Sequence, residues 1–176
     1  MDIGQFESTP FVGEFPEVVQ RYLGLPSLED IVDASNANGA TRLLTCSAFE
    51  PLEALTLTFF DAEVHASHVV SDADAWERIA SGETSADDYQ FVPRERTLGI
   101  PDLPTVIQGW RRIADAIERA DSCMSDNPAG ISFYHLAFGN DVDSMRVWFN
   151  PTEGANPLQC RLLDAYMRIK ARLSPA

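Results

Sequence analysis

The chain has 176 residues, 45% of them hydrophobic, with 27 acids, 13 bases and a formal net charge of −14 at pH 7. That length suits one domain, and ten Phe, three Trp and four Tyr can fill a core, which excludes disorder of the chain as a whole. The charge excludes phosphate-driven nucleic-acid binding and attraction to anionic membranes, both of which need a basic surface, and it favours a basic partner.

Residues 1–14 contain Pro10 and Gly13 and read as an irregular leader to a single domain spanning 1–176. They lack the basic and apolar regions of a secretory signal, and no run reaches the ~18 apolar residues of a membrane helix, so a cytoplasmic protein is expected. "FPEVVQRYLG" reads as a short helix with Pro16 in its first turn and Gly24 at its end. "PSLEDIVDASNANG" reads as a second helix, capped by Ser27 with Asp30 and stopped by its Asn/Gly-rich tail.

The pattern then turns to β. "ATRLLTCSAF" (40–49) is one strand. "ALTLTFFDAEVHASHVV" (54–70) follows after a turn, and its apolar parity changes near Phe59–Phe60. Either a bulge or a junction of two short strands lies there. "SDADAWERIASG" (71–82) predicts a helix capped by Ser71 or Asp72 and closed by Gly82. Residues 83–103 have weak periodicity and two prolines, and read as a long loop. Residues 104–124 carry Val106, Trp110, Ile113 and Ile117 at helical spacing. Residues 130–151 read as a hairpin turning around "GNDVDS". The last element, 156–173, is a helix with Pro157 in first position and Leu158, Leu162, Tyr166, Ile169 and Leu173 on one stripe. The fold class expected is α+β: an antiparallel sheet of about four to five strands packed against amphipathic helices on one side.

The acids are unevenly spread. Residues 50–90 carry ten acids against Arg78 alone, a net −9, whereas residues 131–176 sum to +1. Asp61, Glu63, Asp72, Asp74, Glu77, Asp87 and Asp88 are therefore the candidate partner-binding residues. Their spacing matches no calcium loop.

Chemistry is sparsely signalled. His65 and His68 stand three apart, but β-branched neighbours favour a strand, on which they face opposite sides and cannot share a metal. Glu63 and His65 do share a face, yet two ligands make a weak site. Cys46, Cys123 and Cys160 form no disulfide framework and no C-x-x-C pair. Phosphate-loop, dinucleotide-binding and nucleophile-elbow motifs are absent. No cofactor, no metal and no catalytic residue is expected. The leading expectation is an acidic module that binds and neutralises a basic protein such as a toxin or effector; in size and charge alone it is similar to small bacterial immunity proteins. Two alternatives stand beside it. One is an enzyme, a hydrolase with a site assembled from His65, Glu63, His135 and Cys46. The other is a subunit of a larger assembly.

Overall fold

A computed structural model describes residues 11–47, 50–82, 91–108, 132–139, 142–149 and 157–173. The elements are α1 (Phe11–Tyr22), α2 (Leu28–Ser35), β1 (Gly39–Cys46), β2 (Glu53–Phe59), β3 (Glu63–Val70), α3 (Ala75–Ala80), β4 (Arg94–Gly99), a single 3-10 turn (Ile100–Asp102), α4 (Thr105–Gln108), β5 (Ser132–Gly139), β6 (Val142–Phe149) and α5 (Pro157–Leu173). The strands form one sheet in the order β4-β3-β2-β1-β5-β6, and each neighbouring pair is antiparallel. The α+β class is thus as the sequence predicts.

Local chemistry accounts for most boundaries. Ser27 Oγ accepts the Asp30 N–H at 3.0 Å and donates to the Asp30 carboxylate at 2.7 Å, so the start of α2 is capped as expected. Asn36 ends that helix in the left-handed region, at φ 52°. The parity change near Phe59–Phe60 marks a turn between two strands, not a bulge in one.

Several elements depart from expectation. α1 begins at Phe11, within the expected leader, and carries Pro16 inside it. α3 begins after Asp74, whose side chain makes no cap. Ser71 does not cap α3: its Oγ accepts the Leu52 N–H and donates to the Asp72 carbonyl, both at 2.8 Å, which ties the entry of β2 to the exit of β3. The expected loop 83–103 contains β4, an edge strand with Arg94, Glu95, Arg96 and Thr97 exposed. Of the expected helix 104–124 only α4 falls within the described residues, and Asp87 and Asp88 lie outside them.

The helices do not sit on one side of the sheet. They cover both faces. On the first face, Leu43, Leu55, Leu57 and Phe59 pack beneath Leu162, Tyr166 and Ile169 of α5. On the second face, Leu44, Ala54, Val69 and Leu136 pack beneath Val18, Val19 and Tyr22 of α1, Leu28 of α2 and Ile79 of α3. β1 is therefore buried at both parities, from Gly39 to Leu44 without a break. The single-faced alternation expected of a solvated antiparallel sheet cannot appear in such a strand.

The β1–β5 pairing imposes one strict requirement. Gly39 faces Gly139 across the ladder. Gly139 has φ +84°, and a Cβ there would lie 2.7 Å from Gly39 Cα and 2.9 Å from the Asn38 carbonyl oxygen. Both atoms are backbone and cannot rotate away. Gly139→Ala should therefore destabilise the fold by at least about 1–3 kcal/mol, read as a lower urea midpoint. An unchanged midpoint would remove this contact from the account of the β1–β5 pairing.

Candidate functional site

The predicted acids fall into two groups. Asp61 and Glu63 are exposed at the β2–β3 turn, whereas Asp72, Asp74 and Glu77 lie beyond the other end of β3. The groups stand roughly 25 Å apart along the strand, at about 3.3 Å per residue. Some of these charges are engaged within the chain. Asp61 accepts from Asn38 Nδ2 at 2.8 Å, Glu63 is 3.0 Å from His65 Nε2, and Asp72 pairs with Arg78 at 2.9 Å. Asp74 and Glu77 are exposed and make no ion pair among the described residues.

His65 and His68 do face opposite sides, as strand alternation requires. His65 is half-exposed on the second face, with its ring 4.6 Å from that of Phe60. His68 is buried on the first face and donates to Glu53 Oε2 at 3.3 Å. Lys170 of α5 reaches the same oxygen. The His68 hydrogen bond and then Lys170 hold the Glu53 carboxyl below its usual range, although partial burial pushes the other way.

The structure does not assemble a site from His65, Glu63, His135 and Cys46. His135 lies on the first face, buried between β1 and β6. Its Nε2 is 3.1 Å from the Tyr166 hydroxyl, which is 2.7 Å from Thr41 Oγ1. Cys46 is on the second face but lies six residues along β1 from Ala40, which aligns with Thr58 and through it with His65. That is roughly 20 Å of strand. Burial pushes the Cys46 thiol well up, so it is no ready nucleophile. Among the described residues no three of His, Cys, Asp and Glu are placed to hold a metal ion.

Sequence reasoning passed over Arg42. It is fully buried in the middle of β1, on the second face. Nε donates to Thr56 Oγ1 at 2.8 Å, and Nη1 donates to the Pro26 carbonyl at 2.9 Å and to Gln20 Oε1. These are the hydrogen bonds of the guanidinium among the described residues, and no carboxylate pairs with it there. Burial alone pulls its pKa down to about 10, so it stays charged at neutral pH. A buried ion without a counter-ion is expensive, which makes the position unusual. The signal was present: Arg42 is the one charge within "GATRLLTCS".

Arg42 also lines a groove of about 750 Å³ on the second face. Thr56, Thr58, His65 and Ser67 lie along its sheet side. Leu23, Leu25 and Ile31 come from the helical layer, and Phe91 and Pro93 from the approach to β4. The one acid in the lining, Glu95, is on the edge strand, at the far end of the cross-strand row Arg42–Thr56–Ser67–Glu95.

Burial gives His135 a testable signature. The folded chain keeps it neutral down to about pH 4, whereas the unfolded chain protonates it at the ordinary histidine value of 6.5. Between these values the unfolded state binds more protons, so stability falls as pH falls, by roughly 3 kcal/mol over the window. His135→Gln keeps a partner for Tyr166 but does not titrate. Urea midpoints measured from neutral pH to pH 4 should lose most of this slope in that variant; parallel slopes would show that another group sets it.

Comparison with protein-family models, with curated proteins and with solved structures yields no match to this chain.

Proposed function

We propose that this chain is an acidic interaction module that binds and neutralises a basic protein, in the manner of a toxin-immunity protein or other inhibitor. The observation that carries this reading is the concentration of ten acids against one base in residues 50–90, within a chain of net charge −14. Asp74 and Glu77 add an argument from position. They are exposed, Asp74 just before α3 and Glu77 in its first turn, and have no internal ion pair among the described residues, so their field is available to a partner.

The two acidic groups at the ends of β3 fit within the breadth of one ordinary interface, which covers about 800 Å² on each partner. In this reading they steer the encounter and fix orientation, and burial of apolar residues on the partner supplies most of the affinity. Asp72, held by Arg78, supports the end of α3 more than it contributes free charge. An enzymatic reading draws no comparable support, since the four groups it needs stand on different faces or far apart along the strands.

The test is capture on immobilised full-length chain from a native lysate, with the Asp74→Lys, Glu77→Lys double variant alongside. A stoichiometric basic protein should be retained by the wild type, released by moderate salt, and held at least about tenfold more weakly by the variant. The reading fails if no basic protein is retained, or if retention ignores both salt and charge reversal.

A further inference from the structure

The groove beneath the α1–α2 connection has the size of a small-molecule site, and such sites combine apolar walls with a few placed polar groups. Here the polar group is a buried guanidinium. Nε and Nη1 are directed at Thr56, Gln20 and Pro26, and the Nη2 edge has no partner among the described residues. Thr56 Oγ1 accepts from Arg42, which leaves its own O–H to donate elsewhere. Thr58 and Ser67 place two more hydroxyls on the same side of the sheet, the latter directly opposite Thr56. Cation and hydroxyl donors thus share the sheet wall of a cavity whose other walls include Leu23, Leu25, Ile31 and Phe91.

We infer that this groove binds a small monocarboxylate with an apolar body, its carboxylate seated against Arg42 Nη2 and the Thr56 hydroxyl. The choice of a single negative charge follows from the surroundings. One guanidinium balances one carboxylate. A dianion such as a phosphate monoester carries a second charge, and the other cationic side chains of the lining are engaged elsewhere: Arg96 donates to the Arg172 carbonyl and His65 is paired with Glu63. Glu95 stands beyond Ser67 on the edge strand and repels an anion from that end of the row, which favours the carboxylate at the Arg42–Thr56 end. The exposed acids do not cancel the attraction, because salt screens them within about 8 Å, whereas a buried charge is screened far less. Binding also supplies a counter-ion that Arg42 does not have among the described residues. This site is independent of the acidic surface and stands or falls separately from it.

The test uses octanoate, its neutral analogue octanamide, and octyl phosphate, each titrated into the full-length chain by calorimetry and by amide-proton shifts. Octanoate should bind saturably, one per chain, at least about tenfold more tightly than either analogue. Shifts should centre on β1–β3 and residues 23–31. Arg42→Gln should abolish the preference for octanoate over octanamide. Because that variant also loses the anchor to Gln20 and Pro26, Ser67→Phe serves as a second variant: it fills the groove, leaves Arg42 and its partners in place, and should weaken octanoate at least about tenfold. Equal affinity for octanoate and octanamide, tighter binding of octyl phosphate, no saturable binding at millimolar octanoate, or full affinity in Ser67→Phe would each overturn the assignment.

Discussion

The architecture depends on the burial of β1 from both sides. A strand with helices over each face has no solvent to satisfy its polar side chains, so each must find a partner inside the protein. β1 has two such residues in succession, and alternation sends them to opposite faces. Thr41 meets Tyr166 of α5 on the first face. Arg42 meets Gln20 of α1 and Pro26 of the α1–α2 connection on the second. One dipeptide thereby fastens both helical layers to the centre of the sheet. Apolar packing drives the layers together, and these two polar contacts fix where each helix lies.

The two faces solve the same problem differently. Beneath α5 the polar groups close on one another: Thr41, Tyr166 and His135 form a buried chain, and burial keeps the imidazole neutral. On the second face the buried group cannot become neutral at ordinary pH, because a guanidinium at about 10 retains its proton. Its partners are an amide oxygen, a carbonyl and a hydroxyl, which orient the cation without cancelling its charge. The difference between a neutral polar chain and a cation with no carboxylate partner among the described residues is what separates the two faces.

Much of the fold is legible where local chemistry decides it. Ser27 and Asp30 announce a cap because the cap uses only atoms three residues apart. The parity change at Phe59–Phe60 announces the β2–β3 turn because each strand buries a different parity there. β4 escapes notice because "RERTLG" has almost no apolar pattern; it is held by ladder hydrogen bonds to β3, which leave no mark in side-chain periodicity. The second helical layer escapes for a related reason. Thr41, Arg42 and Thr45 interrupt what would otherwise read as the continuous apolar run of a doubly covered strand. The opposed orientation of His65 and His68 follows from strand geometry alone, whereas the separation of His135 and Cys46 from them depends on strand order, which a sequence does not state. Arg42 is legible only as an anomaly, a lone charge in an apolar strand. Its meaning requires knowing that both faces are covered.

Net charge, as a single number, conceals this arrangement. The described acids of residues 50–90 stand at exposed or half-exposed positions, where water weakens each field and salt screens it over about 8 Å. The guanidinium stands buried at the wall of a groove, where both are largely excluded. A charge deep in a groove is felt strongly by whatever enters that groove and weakly by a macromolecule passing outside, whereas the surface acids act in the opposite way. A chain that attracts a basic protein at long range can therefore hold an anion at short range without contradiction. The two behaviours differ in their response to salt: raising ionic strength erodes the first, while the second, buried and desolvated, changes little.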